Sequence, residues 1–168
     1  KGGHNIYLSD AVLEVPGLKH SLDNNDTSGA IKTLFESLED DAYIAVLSYY
    51  STFDGAVEAA QKDLQGRLML KTGRAVQAGF GPRYLHSTGQ IHKGGPNSGI
   101  YLIFTHSEAD DLKIPGAAFT FSELELSQAY GDMEALMKRG RRVVLFEAAS
   151  SSAAGYKEAV KIISEALA

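Results

Sequence analysis

The sequence has no cysteine among its 168 residues, which excludes a disulfide framework and any thiolate-held zinc site. The same absence agrees with a reducing, cytoplasmic location. No apolar stretch approaches the roughly eighteen residues that a membrane span needs, and no secretory leader is expected. The start Lys1-Gly2-Gly3-His4-Asn5 lacks methionine, so the chain reads as a fragment or a processed product. Positive charge is scarce as well. Sixteen Lys and Arg stand against 21 Asp and Glu, for a net charge of −5, and basic residues gather only in pairs such as Lys138-Arg139 and Arg141-Arg142. A nucleic-acid binder shows a basic patch or stripe, so neither nucleic acid nor membrane is an expected partner. The G-x-S-x-G elbow and the GxxxxGK[ST] loop are missing too, which argues against a serine hydrolase or a nucleotide triphosphatase.

What is present can fill a core: 44% of residues are hydrophobic and 22% charged, the balance of a folded domain, at a length that suits one. Residues 1 to about 27 lack a strong period, and 1–40 read as a loosely structured extension with one helix. Ile6-Tyr7-Leu8 and Ala11 to Val15 suit short strands, Ser21 to Ser28 a solvated loop, and Ile31, Leu34, Phe35 and Leu38 one helical face. The acidic run Glu39-Asp40-Asp41 reads as a solvated turn rather than a cation site.

From residue 41 the pattern sharpens into a single α+β domain. Tyr43–Tyr50, Ala75–Phe80, Ile100–Thr105 and Arg141–Glu147 are apolar, β-prone runs. Between them, Phe53, Val57, Ala60, Leu64 and Leu68 mark the buried stripe of a helix over about 54–70 with Asp54 as its cap, and Leu126, Ala129, Met133 and Leu136 mark one over 122–138. Ser122 and Glu125 fit a capping box for the latter. Tyr156, Val160, Ile163 and Leu167 suit a last helix, after a serine joint at Ser150 to Ser152. The order β-α-β-β-α-β matches a ferredoxin-like split motif, with both helices on one face of the sheet. A doubly wound α/β sheet is the alternative, and it requires a helix between the second and third strands, where Gly and Pro are dense.

That interval, Gly81 to Gly99, carries the chemistry. It holds five glycines, two prolines, His86, His92, Arg83 and Lys93, with Ser87, Thr88, Gln90, Asn97 and Ser98 among them. Glycines let backbone N–H groups turn toward an anion. Arg and Lys add charge, and hydroxyl and amide groups grip sugar hydroxyls. The plain alternative is a set of turns. No carboxylate lies in the loop and the histidines lack helical ligand spacing, so no metal site is expected. His4, His20 and His106 stand alone and read as surface or structural.

The run GFGPRYLHSTGQIHKGGPNSGIYL, residues 79–102, closely resembles a segment near the C-terminus of bifunctional transaldolase/glucose-6-phosphate isomerases. The resemblance continues through Asp111-Leu112-Lys113-Ile114-Pro115-Gly116, Phe119-Thr120-Phe121, Gln128-Ala129, Gly131-Asp132 and Arg139-Gly140-Arg141-Arg142-Val143, and takes in Tyr43 to Leu47. It covers about 42 to 146. It implies the C-terminal module of an aldose–ketose isomerase in glycolysis, gluconeogenesis and the pentose-phosphate pathway, with no coenzyme, because the reaction moves a proton through an enediol. The base is expected in sugar-isomerase domains that this chain lacks, so the isolated module is expected to be inactive. His86-Ser87-Thr88-Gly89-Gln90 resembles an HSxGQ stretch whose histidine assists ring opening. Arg83 and Lys93 are then expected at the phosphate, His86 as acid or base, and Ser87, Thr88, Gln90, His92, Asn97 and Ser98 at hydroxyls or bracing the loop. Expected partners are a sugar phosphate and either upstream isomerase domains or a homo-oligomer. A noncatalytic assembly or regulatory module is the alternative. Two departures stand out: Glu125 replaces an expected basic residue, and Ser150 to Ala168 extends past the usual end.

Overall fold

The computed structural model describes residues 4–53, 55–107 and 112–168. Its order is β1 (His4–Leu8), α1 (Asp10–Leu13), α2 (Leu18–Asp23), α3 (Thr27–Glu36), β2 (Tyr43–Ser48), α4 (Ala56–Thr72) and β3 (Ala75–Phe80). A 3-10 turn (Arg83–His86), α5 (Thr88–Gly94), β4 (Ile100–His106), α6 (Phe121–Met137), β5 (Arg142–Ala148) and α7 (Ala153–Ala166) follow. The expected cap at Asp54 lies outside the described residues, and Phe53 precedes α4 fully exposed rather than opening its buried stripe.

The five strands form one mixed sheet in the order β1-β5-β4-β2-β3. β2, β3, β4 and β5 run parallel, and β1 pairs antiparallel with β5. A mixed helix-and-sheet class is therefore found, and the four expected strands share one sheet. The pairing directions follow the doubly wound alternative, so the split βαββαβ arrangement is corrected. That motif makes an antiparallel sheet, whereas here every link from β2 to β5 is a crossover between parallel strands.

The expectation of both long helices on one face is corrected with it. Ile44 and Val46 of β2 and Leu102 and Phe104 of β4 pack with α3, α4 and α7. Ala45 and Leu47, with Tyr101 and Ile103, pack with α6 and Tyr84. Right-handed crossovers explain the split. The chain steps outward from β2 to β3 and then returns past β2 to β4, so α4 and α6 must cover opposite faces. The order reverses between β2 and β4, the position where open α/β sheets place ligands at the strands' carboxyl ends.

Residues 4–40 are not a loose extension. Val12, Leu18, Ala30, Ile31 and Leu34 are buried in the same core as α4 and α7. Ala11 to Leu13 is helical rather than extended, and Ser21 to Ser28 is mostly the end of α2 and the start of α3, capped by Asp26 on Gly29 N–H. The buried Ser9 stitches β1 to β5: its hydroxyl donates to Arg141 O at 3.0 Å and accepts from Val143 N–H at 2.9 Å.

Candidate functional site

The interval between β3 and β4 is a folded crossover rather than an open loop. Gly81 begins it against Tyr49, whose ring occupies the space a Cβ would need. The 3-10 turn and α5 then pack together. Gly89 lets them approach, since a Cβ there would sit 2.9 Å from Tyr84 O.

Two polar networks fix this segment from beneath. Lys93 Nζ lies 2.7 Å from Asp132 Oδ1, and the Asp132 side chain is 3% exposed. Tyr84 donates its O–H to Asp132 Oδ2 at 2.5 Å, with the Tyr49 hydroxyl 3.1 Å from its oxygen. Burial, and then the Asp132 carboxylate, push the Tyr84 phenol far above its ordinary range, so it stays a donor. Arg141 donates to Gly95 O at 2.6 Å and Lys93 O at 3.2 Å, which cap the end of α5.

The second network surrounds His92, which is buried. Its Nε2 is 3.0 Å from Gln77 Oε1, and its Nδ1 is 3.1 Å from the Tyr43 hydroxyl. Tyr43 in turn lies 2.5 Å from the Tyr101 hydroxyl. Gln77 spends its Nε2 on Ala78 O, so its Oε1 accepts from His92 Nε2–H and Nδ1 accepts from Tyr43. Burial holds the imidazole pKa below its ordinary 6.5, against the pull of Asp132. Each nitrogen is committed in a neutral ring, as structural histidines require.

The expected site residues therefore divide. His92 and Lys93 are bracing groups facing inward. Asn97 donates to Gly140 O at 3.0 Å, and Ser98 O accepts from Arg142 at 2.9 Å, so they tie the crossover to the turn before β5 and to the start of β5 itself. Gln90 donates to Leu85 O at 3.1 Å, across the junction of the two short helices. Arg83 and Lys93 do not converge on one pocket. On the outer side, Arg83, Ser87 and Thr88 line an open cleft of about 460 Å³ with Thr52, Glu58, Gln77 and Gly79. Arg83, His86 and Ser87 are exposed, and the Ser87 hydroxyl donates to Tyr84 O at 3.3 Å. The Arg83 and His86 side chains have no hydrogen bond or ion pair among the described residues. The cleft lies beside the carboxyl ends of β2 and β3 and the first turn of α4.

Sequence reading missed Thr52 and Glu58 in this cleft, and Asp132 beneath it. Asp132 carries a recoverable signal: it falls on the inward stripe of Ala129, Met133 and Leu136, where a carboxylate needs a partner. Elsewhere at the carboxyl end, His106 is buried with its ring 5.0 Å from that of Tyr50 and its Nε2 3.9 Å from Glu125. Tyr130 donates to the buried Glu147. His4 stands 3.2 Å from Glu158, and His20 lies beside Asn24. Among the described residues no three acidic or imidazole groups gather as a metal site, and no helix is long and apolar enough to cross a membrane.

No family model matches the chain, and no curated protein does. Among solved structures, the fold is similar to that of a hypothetical protein from Thermus thermophilus, with a TM-score of 0.59 and 17% identity over 94% of this chain. The chain spans 44% of that protein's length. At such identity the likeness is one of fold, and it extends across the doubly wound sheet just described.

Proposed function

We propose that the chain is a sugar-phosphate-binding module of an aldose–ketose isomerase, with Arg83 as the phosphate anchor. The observation that carries this reading is the cleft itself, where an uncommitted guanidinium shares one opening with Ser87, Thr88 and Thr52 beside the carboxyl ends of β2 and β3. Doubly wound sheets bind ligands at that end, and a planar guanidinium suits a bidentate grip on phosphate. The resemblance of residues 79–102 to transaldolase/glucose-6-phosphate isomerases supports the substrate class. His86 stands exposed on the same 3-10 turn as Arg83, outside the lining of the cleft, and is the candidate acid or base of this reading. A cytoplasmic location and a place in glycolysis and the pentose-phosphate pathway belong to this reading.

The test is calorimetric titration of the chain with glucose 6-phosphate, wild type against Arg83→Ala. A charge-assisted hydrogen bond contributes roughly 1.5–3 kcal/mol, so the variant should bind about tenfold to a hundredfold more weakly. Equal binding would remove Arg83 from the site.

A second reading, a noncatalytic assembly module, is favoured by apolar side chains left in the open. Leu112, Phe119 and Phe121 before and at the start of α6 are 75%, 46% and 50% exposed. Such side chains suit contact with an upstream isomerase domain or a second copy. Sedimentation of the chain alone separates the readings: a stable dimer lost in Phe119→Ser/Phe121→Ser supports assembly.

A further inference from the structure

The cleft holds a charge that the sugar-phosphate reading leaves unused. Glu58 sits in the first turn of α4, exposed, and lines the same cleft as Arg83. Its carboxylate has no hydrogen bond or ion pair among the described residues, and no ion pair joins it to Arg83 or to Lys62 one turn along. Several other surface acids are spent: Asp63 on Arg67, Glu134 on Lys138, Glu165 on Lys161 and Asp40 on Arg74. An acid in a first helical turn favours the helix dipole wherever it points. This one also borders a ligand-sized opening, about 460 Å³, within the ~300–1,000 Å³ typical of small-molecule sites.

A cleft with a free cation and a free anion, joined by hydroxyls, is complementary to a ligand of the reverse polarity. The phosphate of a sugar phosphate satisfies Arg83. A hydroxyl offers Glu58 a neutral donor, whereas an ammonium group offers a donor and a charge together. We infer that the Arg83–Glu58 cleft selects a phosphorylated amino sugar over the neutral sugar phosphate, with Glu58 as the specificity-determining residue facing the amine. This rests on the sugar-phosphate reading and narrows it. Because Glu58 is exposed, the added charge is worth little more than a surface ion pair, which corresponds to about fivefold in affinity.

The experiment is calorimetric titration near neutral pH of wild type and Glu58→Gln with glucosamine 6-phosphate and glucose 6-phosphate, with melting temperature as a folding control. Wild type should bind the amino sugar about fivefold more tightly. Glu58→Gln should erase that preference and melt like wild type. Equal affinities in wild type, or a preference that survives in Glu58→Gln, would overturn the inference while leaving the sugar-phosphate reading intact. Binding of neither ligand would overturn both.

Discussion

Replacing Lys93 with methionine keeps an aliphatic stem of similar length and deletes the ammonium group 2.7 Å from Asp132 Oδ1. Asp132 is then a buried carboxylate with one remaining donor, the Tyr84 hydroxyl at 2.5 Å. Removing one partner of a buried ion pair costs about 3–5 kcal/mol, because the other charge is stranded. Lys93 is itself 23% exposed, so water reaches the pair and the lower end, ~3 kcal/mol, applies. For a chain of this size that lowers the melting temperature by roughly 6–12 °C. Asp132→Asn should cost less, since the lysine stem can carry its charge outward. The double variant should be clearly more stable than the sum of the single losses, with a coupling of about 1–3 kcal/mol. Urea denaturation of the four proteins measures this. A Lys93→Met chain within ~0.5 kcal/mol of wild type, or additive losses in the cycle, would refute the bracing role and return Lys93 to the ligand side.

Three further outcomes follow from the same geometry. His92 has a folded pKa depressed below 6.5 by burial, so the unfolded chain takes up the proton first. His92 therefore makes stability fall as pH drops through about 6.5 toward the lower folded value and makes no difference well above it; His92→Gln should flatten that slope in pH-dependent melting curves. Gly81→Ala should cost roughly 1–3 kcal/mol, because its Cβ meets the fully buried Tyr49 ring, and an unchanged melting temperature would contradict that packing. In a coupled assay the chain alone should not convert glucose 6-phosphate at an enzyme-like rate, and robust turnover abolished by His86→Ala would place the active centre in this chain.

The parallel strands were legible because strands covered on both faces read as near-continuous apolar runs, and β2, β4 and β5 do. Their direction was not. It depends on α5, a seven-residue helix containing two glycines, which propensity counts against and which tertiary contacts with Tyr84 and Arg141 hold in place. The capping box was read two residues late: Thr120 and Glu123 form it, not Ser122 and Glu125. Composition pointed to the segment that lines the outer cleft but could not sort its residues. Arg83 and Lys93, ten residues apart, look alike in sequence, and only the inward turn of α5 toward Asp132 separates an available charge from a spent one.

In the proposed reading a sugar phosphate meets the outer face of the crossover, at Arg83, Ser87, Thr88 and Thr52, and not its braced side. Titration of glucose 6-phosphate into isotope-labelled chain, followed by amide chemical shifts, tests it most directly. Saturable shifts are expected at those four residues, with Lys93, Asn97 and Ser98 nearly still. Shifts centred on Lys93 to Ser98, or no saturable shift anywhere, would contradict it.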